Sequence, residues 1–349
     1  MSTHDYRRVR FALVGCGRIG ERHMDAIAEH ASSAELVAVC DTDPAALARA
    51  VAKTGAAGFA DLNSLLEGAD CDAVALCTPS GLHSAQTIRI AAAGRHVITE
   101  KPMATRWADG IAMVKACDAA AVKLFVVKQN RRNATLQLLK RAIDAKRFGR
   151  IYMVTINVFW QRPQEYFDSA PWRGTWEFDG GALMNQASHY VDLVDWLIGP
   201  VESVQAYVGT LARDIQVEDT ATVGVRWRSG TLGSVNVTML AYPRNFEGSI
   251  TILGENGTVR IGGVAVNQIE HWEFADSHAD DDSIRSASYE TTSVYGFGHA
   301  LYYDNVIATL RGEALAETDG REGLKSLEIL IASYLSARDG QRVALPLDY

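Results

Sequence analysis

The feature that most limits the fold is a glycine-rich turn, GCGRIG, that follows directly on a short apolar strand. The strand reads VRFALV, the turn spans residues 15–20, and a helical pattern begins at its end. Glycines at this spacing let the backbone approach a pyrophosphate, and the N-terminus of the following helix favours negative charge. Because glycine turns also occur for purely structural reasons, the interpretation depends on the residues around it.

An acidic residue stands where a dinucleotide-binding turn requires one. Asp41 ends the second apolar strand, 21 residues after Gly20, and an acidic residue near this spacing binds the adenosine ribose. Its carboxylate repels a 2′-phosphate, and Thr42 rather than an arginine follows it. We therefore predict that the chain binds NAD rather than NADP. The predicted cofactor contacts in this region are Gly15, Gly17, Arg18, Ile19, Gly20 and Asp41.

Apolar strands and helices alternate through the first part of the chain. After the glycine turn come the strands AELVAVCD, AVALCTP, HVIT and LFVV, each separated from the next by a helical pattern. Strands that are apolar throughout, with helices between them, indicate a parallel sheet covered on both faces. We therefore predict an α/β protein whose residues 1–130 form an N-terminal Rossmann domain that binds NAD.

The remaining residues show a different pattern. Segments such as RIYMVTINVFW, TATVGVRWRSG and GSITILGENG alternate or carry β-branched residues between glycine turns. They predict a second domain over residues 131–349, of α+β type, with a large and mostly antiparallel open sheet. The last two helices are candidates to pack back on the first domain. The apolar and aromatic strands near 202–262 predict a homo-oligomer, with a tetramer expected.

Three strands of the predicted parallel sheet end on polar residues. They end at residues 78–80, at 100–102 and at 128–130, and parallel sheets collect their ligands at the carboxyl ends of strands. We expect all three ends to line the nicotinamide site. The predicted cofactor contacts here are Thr78, Pro79, Ser80, His83, Glu100, Lys101 and Gln129.

The segment GGALMNQASHYVDLVDWLIG, residues 180–199, predicts a helix with two different sides. One side is an apolar stripe at helical spacing, made of Leu183, Ala187, Tyr190, Val194 and Leu197. The opposite side carries Asn185, His189, Asp192 and Trp196. That side is either a solvent face or a functional one. The paired glycines before the helix and a tryptophan among the polar residues favour the functional interpretation.

Composition excludes several classes of function. A net charge of -8 argues against nucleic acid as a main partner. The sequence lacks a run of 18 apolar residues, so no membrane span is predicted. Five cysteines without a C-x-x-C pair predict reduced thiols and a cytoplasmic protein. The acidic loop at 275–283 is interpreted as a solvated turn, and no metal site is predicted.

The glycine turn, the Glu-Lys-Pro motif at 100–102 and a histidine on a helix after Gly-Gly together resemble the Gfo/Idh/MocA oxidoreductase family, over essentially the whole chain. The resemblance implies that Lys101 contacts the nicotinamide and the reacting hydroxyl, and that His189 is the acid/base. It also implies that Trp172 and Arg173 contact the cofactor, and that dimers or tetramers form. Many members carry an aspartate four residues before that histidine, where this chain has Asn185.

This departure, together with KQNRRN at 128–133 and the segment at 172–192, is most similar to the sugar-nucleotide branch of the family. That branch oxidises the 3-hydroxyl of UDP-N-acetylamino glucuronic acid in lipopolysaccharide O-antigen synthesis. An asparagine at 185 removes a negative charge that would repel an anionic sugar. The carboxylate and diphosphate need cationic partners, for which arginine is best suited. The predicted substrate contacts are Lys101, Asn130, Arg131, Arg132, Arg162, Asn185 and His189.

Oxidation of a secondary alcohol requires a hydride acceptor and a proton acceptor. Histidine titrates near neutral pH, whereas lysine needs a lowered pKa to act as base. We therefore predict that His189 accepts the proton, that Lys101 orients and polarises the hydroxyl, and that Asn185 orients without titrating. The alternative exchanges the roles of Lys101 and His189. Two other functions stay open: a dehydrogenase of a free polyol or sugar, and an NAD-binding regulator without turnover.

Overall fold

The computed structural model describes residues 7–291, 294 and 298–347. These residues form two compact units. The first unit takes the chain up to Gln129 together with His299–Leu324, and the second takes Asn130–Gly298 and the residues from Lys325 onward. A segment from the C-terminal part of the chain therefore belongs to the cofactor-binding unit.

Within the described residues, the first unit is built on a parallel sheet, as the alternation predicts, and the sheet has six strands where the sequence analysis named five. Its strands are β1 (Val9–Val14), β2 (Ala34–Cys40), β3 (Ala57–Phe59), β4 (Ala73–Leu76), β5 (His96–Thr99) and β6 (Leu124–Val126). They lie in the order β3-β2-β1-β4-β5-β6, and neighbouring strands are parallel. The order reverses between β1 and β4, which is where open α/β sheets bind ligands.

Helices connect these strands and cover the sheet. They are α1 (Arg18–Glu29), α2 (Pro44–Thr54), α3 (Leu62–Gly68), α4 (His83–Ala92) and α5 (Trp107–Ala119). Local sequence explains where they begin: the Asp43 side chain accepts hydrogen bonds from the backbone N–H groups of Ala45 and Ala46, and Pro44 occupies the first turn of α2. Strand residues such as Phe11 and Ile98 are completely buried, as expected for a sheet covered on both faces.

The second unit is built on a sheet that has eight strands in the described part of the chain. The strands are β7 (Ile151–Phe159), β8 (Val201–Gly209), β9 (Thr220–Trp227), β10 (Leu232–Thr238), β11 (Glu247–Gly254), β12 (Gly257–Gly262), β13 (Gln268–Phe274) and β14 (Val343–Ala344). Their order is β13-β12-β11-β7-β10-β9-β8-β14. β7 and β10 are parallel and the other neighbouring pairs are antiparallel. The predicted mostly antiparallel sheet is confirmed.

Helices of the second unit cover one face of this sheet. They are α6 (Ala134–Asp144), α7 (Gln164–Asp168), α8 (Ser188–Ile198) and α9 (Ile284–Ala287). The Trp227 indole of β9 donates a hydrogen bond to the carbonyl of Val194 in α8 at 3.0 Å. Val154, Ile156 and Val158 of β7 are buried on this face, so the core of the second unit lies here.

Two more helices follow, α10 (Gly298–Leu310) and α11 (Gly320–Asp339). Tyr302, Tyr303, Val306 and Ile307 of α10 belong to the same buried core cluster as Phe11 of β1. The Tyr303 and Phe11 rings meet edge-on, with centroids 5.4 Å apart. Most of α10 is therefore part of the first unit's core. Among the described residues, no helix combines the length and apolar character needed to cross a membrane.

The other face of the eight-stranded sheet is largely polar. A hydrogen-bonded row crosses it through Thr222, Asn236, Asn157, Glu247 and Arg260. At one end lie three exposed apolar side chains on adjacent strands in register, Met153, Leu232 and Leu253. The sequence argument for an oligomer assumed a broadly apolar face. The structure narrows that assumption, because the exposed large apolar side chains of β7, β10 and β11 are this row and the neighbouring Tyr152.

Candidate functional site

The glycine turn occupies the point where the order of the parallel strands reverses. Gly15 has φ +98°, and a Cβ on it would lie 2.6 Å from the carbonyl oxygen of Cys77 after β4. Only glycine suits both conditions. Gly17, by contrast, caps α1 with extended backbone, and a Cβ built on it meets no atom within 4 Å. Within the described ranges no side chain caps α1 at Gly17, so its open N-terminus suits a pyrophosphate.

Asp41 follows β2 and holds the glycine turn. Its Oδ2 accepts a hydrogen bond from the Cys16 backbone N–H at 2.7 Å, and its Oδ1 accepts one from Asp43 at 2.8 Å. The side chain is partly exposed, and each carboxylate oxygen has a second lone pair for a ribose hydroxyl. The structure therefore gives Asp41 both a structural contact and the acceptor capacity that the predicted ribose contact needs.

We expect the catalytic efficiency with NAD to exceed that with NADP by at least about tenfold, because like charges a few ångströms apart repel by roughly 1–4 kcal/mol. Asp41→Asn should narrow this ratio. Asp43→Asn, which alters the cap of α2, is the control and should leave the ratio unchanged. The measurement is kcat/KM with each cofactor, and equal efficiencies for the wild-type protein contradict the assignment.

The Glu-Lys-Pro turn after β5 is fixed through the Glu100 side chain. Oε2 of Glu100 accepts a hydrogen bond from the Lys101 backbone N–H at 3.0 Å, and Oε1 lies 2.9 Å from Nε2 of His23 in α1. Glu100 is 5% exposed, whereas Lys101 is only partly buried. The peptide bond between Lys101 and Pro102 is cis. The turn that carries Lys101 is therefore connected through the Glu100 side chain to α1, the helix of the glycine motif.

His83 lies behind two of the strand ends. Its Nδ1 is 3.0 Å from the Pro102 carbonyl oxygen, and its Nε2 is 3.0 Å from the Thr78 carbonyl oxygen. The side chain is completely buried, and burial lowers the pKa of its imidazole. In this position it joins the turn after β4 to the turn after β5. Its predicted contact with the cofactor stays a prediction.

The other predicted cofactor contacts of the first unit lie on the segments that follow its strands. They are Arg18 and Ile19 in the first turn of α1, Pro79 and Ser80 after β4, and Gln129 after β6. Arg18 is exposed, Ser80 is buried at 9% exposure, and Gln129 is buried. The structure thus gathers these residues at the carboxyl ends of the parallel strands, where the sequence analysis expected them.

In the second unit, the segment that carries Asn185 and His189 departs from one regular helix. A π-helical turn, Ala182–Gln186, precedes α8, and such turns are frequent at functional sites. Nδ2 of Asn185 donates to Oδ1 of Asp179, whose Oδ2 accepts from the Gly174 backbone N–H at 2.7 Å. Asp179 is 2% exposed. Its only sequence signal is its place directly before Gly-Gly, and the sequence analysis missed it.

Asp179 also corrects the charge argument built on Asn185. The sequence analysis took asparagine at this position as the loss of a negative charge. The structure shows a buried carboxylate one hydrogen bond behind the amide. A carboxyl group therefore lies within one hydrogen bond of position 185, although the residue at that position is an amide.

His189 lies in the first turn of α8 and is 7% exposed. Asp192, which follows on the same helix, receives two hydrogen bonds of 2.7 Å from Nε and Nη2 of Arg131. The Arg131 guanidinium lies 5.5 Å from the ring centroid of Trp196. On the side of the segment predicted to be polar, His189 and Asp192 are buried, and Asn185 and Trp196 are partly buried. Arg131, predicted to bind substrate, uses two of its donors to anchor the helix of His189.

Two other predicted arginines flank one aromatic ring. The guanidinium carbons of Arg162 and Arg173 lie 5.5 and 4.2 Å from the ring centroid of Tyr166, and Arg173 lies 4.5 Å from that of Trp172. Gln186, in the π-helical turn of Asn185, donates to the Tyr166 hydroxyl at 3.3 Å. Tyr166, which the sequence analysis did not single out, thus links these residues to the turn. Two further predicted contacts, the buried Asn130 and the partly buried Arg132, lie in the short turn Gln129–Arg132.

A buried carboxylate supports the π-helical turn from behind. Oε1 of Glu218 accepts hydrogen bonds from the Leu183 backbone N–H and the Tyr334 hydroxyl, both at 2.8 Å. A Cβ on Gly181 would lie 1.9 Å from Oε2, so only glycine allows this approach. Burial raises the pKa of Glu218 to about 7. The sequence analysis missed this residue as well, because nothing local distinguishes it from a surface glutamate.

We expect Glu218→Gln to gain stability relative to the wild type as the pH rises. The folded-state pKa, about 7, lies above the usual value of 4.5. The stabilising contribution of the protonated carboxyl is therefore complete below pH 4.5 and is lost as the pH rises through 7. The difference in unfolding free energy should change by on the order of 3 kcal/mol. Urea unfolding of both proteins at pH 5 and pH 8 measures it, and a difference independent of pH contradicts the shift.

Together, a parallel sheet with a dinucleotide turn and a unit with a buried histidine beside an oriented amide define an NAD-dependent oxidoreductase. Residues 9–128 match the model of the oxidoreductase family NAD-binding Rossmann fold, and residues 140–345 match its C-terminal alpha/beta domain. The chain belongs to the Gfo/Idh/MocA oxidoreductase family, as its motifs predict. The match also confirms the predicted fold class and NAD as the cofactor.

Two solved structures are similar over nearly the whole chain. The WlbA dehydrogenase from Chromobacterium violaceum, in complex with NADH and UDP-GlcNAcA, is 70% identical, with 98% of this chain and 97% of that chain covered and a TM-score of 0.95. The WlbA dehydrogenase from Bordetella pertussis, with the same ligands, is 68% identical, with 98% and 99% covered and a TM-score of 0.96. The inositol 2-dehydrogenase of Rhizobium meliloti is 28% identical over 97% of this chain and 99% of its own.

Proposed function

We propose that this protein is an NAD-dependent dehydrogenase that oxidises the 3-hydroxyl of UDP-N-acetylamino glucuronic acid to the 3-keto sugar. The observation that carries the proposal is the 70% identity, over almost the full length of both chains, to a WlbA dehydrogenase whose structure contains NADH and UDP-GlcNAcA. The proposal includes a role in making sugars of the lipopolysaccharide O-antigen. It also includes a cytoplasmic location, which is supported by five cysteines that are all free and buried.

The proposed chemistry divides between a few side chains. When bound, NAD accepts the hydride that leaves the sugar carbon. His189 takes the proton of the hydroxyl, and Lys101 orients and polarises that hydroxyl; the alternative exchanges these two roles. Asn185 orients the sugar, because its own amide is fixed by a hydrogen bond to Asp179. An amide does not titrate, so Asn185 takes no part in proton transfer. General-base help of this kind contributes about 10²–10⁴-fold to the rate.

We assign recognition of the substrate's negative charges chiefly to Arg162 and, in place of the cofactor contact that the family resemblance implies for it, to Arg173. Both guanidinium groups are held in place against Tyr166, and a planar guanidinium binds carboxylates and phosphates through paired hydrogen bonds. Asn130 and Arg132 are the remaining proposed contacts. Arg131 is assigned a supporting role, since Asp192 already receives two of its hydrogen bonds.

A spectrophotometric screen tests the proposed function. Purified protein and NAD are mixed in turn with UDP-GlcNAcA, UDP-N-acetylglucosamine, free hexoses and myo-inositol, and NADH formation is followed. We expect turnover with UDP-GlcNAcA and a product that NMR identifies as the 3-keto sugar. Turnover of myo-inositol alone supports the second candidate, a polyol dehydrogenase, which the similarity to inositol 2-dehydrogenase favours. NAD binding without turnover of any substrate supports the regulator.

We also propose that the protein is a homo-oligomer, with a tetramer expected, and that the row Met153, Leu232 and Leu253 lies in a contact between copies. These side chains are 45%, 51% and 39% exposed on adjacent strands. Light scattering should give about four times the chain mass of 38.0 kDa, and Met153→Glu should give smaller particles. Leu315→Ser, at a position 89% exposed in the first unit, is the control. A monomer at micromolar concentration contradicts the proposal.

A further inference from the structure

Four polar side chains form a buried cluster in the first unit, beside the turn of Lys101. His23 of α1 and Tyr303 of α10 have no exposed surface, and Glu100 and His299 are each 5% exposed. Apart from Glu100, none of them was singled out by the sequence analysis. Polar groups buried together destabilise a fold unless hydrogen bonds satisfy them, so the contacts within this cluster decide what it does.

The hydrogen bonds of the cluster form one chain, which ends at the backbone N–H of Lys101. The Tyr303 hydroxyl lies 2.8 Å from Nδ1 of His23, and Nε2 of His23 lies 2.9 Å from Oε1 of Glu100. The other oxygen of Glu100 accepts from the Lys101 backbone N–H at 3.0 Å. If Tyr303 donates, a neutral His23 accepts at Nδ1 and donates from Nε2 to a carboxylate. Burial raises the pKa of Tyr303, which keeps its hydroxyl a donor.

His299 completes the surroundings of the carboxylate. Its Nε2 lies 3.7 Å from Oε1 of Glu100, and its ring meets the ring of His23 edge-on with centroids 5.3 Å apart. Burial alone raises the pKa of Glu100, but the hydrogen bond with His23 and the nearby His299 imidazole outweigh burial and hold that pKa well below its usual value. The two histidines therefore keep a carboxylate ionised inside the core.

The same groups have the donor types of a metal site, because one ligand atom from each of His23, Glu100 and His299 lies within 4.8 Å of the others. Two ligands of a tetrahedral zinc, each bound at about 2.1 Å, are separated by about 3.4 Å. Nε2 of His23 and Oε1 of Glu100 are only 2.9 Å apart, and the other nitrogen of His23 contacts Tyr303. These distances describe a hydrogen-bonded network.

We propose that His23, Glu100 and His299 are positioning residues that fix the turn of Lys101 against the helix of the glycine motif. Glu100 holds the backbone N–H of Lys101, and His23 joins that carboxylate to α1, whose first turn carries the predicted pyrophosphate site. His23 and His299 act on the chemical step through Glu100, and Glu100 acts on it through the backbone N–H of Lys101. The inference rests on the proposed function, in which Lys101 orients the reacting hydroxyl.

A matched pair of variants tests the network. His23→Gln keeps an N–H donor for Glu100, whereas His23→Leu has similar size, no donor and leaves a buried carboxylate without that partner. We expect His23→Leu to lower kcat about 10- to 100-fold, the effect of one lost charged hydrogen bond. KM for UDP-GlcNAcA and Kd for NAD should stay within about threefold of the wild type. His23→Gln should recover most of the lost kcat.

Two further variants separate positioning from general stability. Glu100→Gln should resemble His23→Leu, because one amide oxygen cannot replace the two carboxylate oxygens that accept from His23 and Lys101. His30→Leu is the control: His30 directly follows α1 as its C-cap residue, and its Nε2 lies 2.9 Å from the carbonyl oxygen of the α10 residue Ala300. That variant should keep a normal kcat, even if its melting temperature falls.

Each outcome decides between distinct conclusions. A normal kcat for His23→Leu, with Lys101→Met inactive, overturns the positioning role and leaves the proposed function intact. Equal losses in His23→Leu and His30→Leu mean that the network only stabilises the fold, and they overturn the inference too. Stoichiometric zinc that is lost with activity in His299→Ala identifies a metal site instead. A wild-type protein that fails to turn over any sugar nucleotide rejects the proposed function itself.

Discussion

Replacing Lys101 with methionine, or His189 with asparagine, is expected to lower turnover of UDP-GlcNAcA at least ~10²-fold while NAD still binds. The expectation follows from the proposed roles, acid/base help from one residue and polarisation of the hydroxyl by the other, and acid/base help is typically worth about 10²–10⁴-fold. Methionine keeps the length of the lysine without its charge, and asparagine keeps a polar group that cannot titrate. Steady-state kinetics measures turnover, and fluorescence titration measures NAD affinity.

The controls for this experiment are a lysine and a histidine outside the proposed machinery. Lys115→Met lies on the exposed side of α5, and His271→Asn lies on β13. Both variants should keep normal turnover. If Lys101→Met or His189→Asn also keeps near-normal turnover, the catalytic role of that residue is wrong, whichever of the two is the proton acceptor.

The second large effect concerns the carboxylate of the sugar. We expect the catalytic efficiency with UDP-GlcNAcA to exceed that with UDP-N-acetylglucosamine by roughly 10- to 100-fold, since a buried charged hydrogen bond is worth about 1.5–3 kcal/mol. The two substrates share the charged diphosphate and differ only at carbon 6 of the sugar, which is a carboxylate in the first and a hydroxymethyl group in the second. Measuring kcat/KM for both with NAD decides the question. Equal efficiency, or equally good turnover of free myo-inositol, refutes recognition of the anion.

Arginine variants identify the partner of that carboxylate. If Arg162 or Arg173 binds it, replacing that residue with glutamine should bring the ratio of the two efficiencies toward one. An arginine that binds the diphosphate should instead lower both efficiencies alike. Arg260→Gln is the control, because Arg260 pairs with Glu247 and Glu270 on the sheet. A ratio unchanged in both Arg162→Gln and Arg173→Gln places the carboxylate elsewhere.

Local patterns predicted the parts of the molecule that depend on neighbours in sequence. The glycine turn, the acidic residue after β2 and the Glu-Lys-Pro turn lie at the strand ends where they were expected, because a parallel strand followed by a helix fixes the position of the turn between them. The strand HVIT was predicted with its observed bounds, and the predicted strand AVALCTP begins with β4 but runs three residues past its end. Periodicity and strand composition suffice for such features.

The supports of the site depend on contacts between distant residues, so the sequence could not reveal them. His23 meets Glu100 across 77 positions and Tyr303 across 280. Asp192 was placed on the predicted polar side of its helix, and Arg131, which donates hydrogen bonds to it, stands 61 positions away in the sequence. For the same reason a buried Glu218 looked like a surface residue. Only the fold shows which of many charged residues are paired and shielded from water.

The place of α10 in the core of the first unit limits how the chain can be divided. A fragment ending near residue 130 lacks Tyr303 and its neighbours, which cover Phe11, and it also lacks His299 beside Glu100. Such a fragment should aggregate, whereas one that rejoins residues 299–324 through a linker should fold. Recombination between related sequences meets the same limit: the first unit stays complete only when the exchanged part of the sequence includes α10.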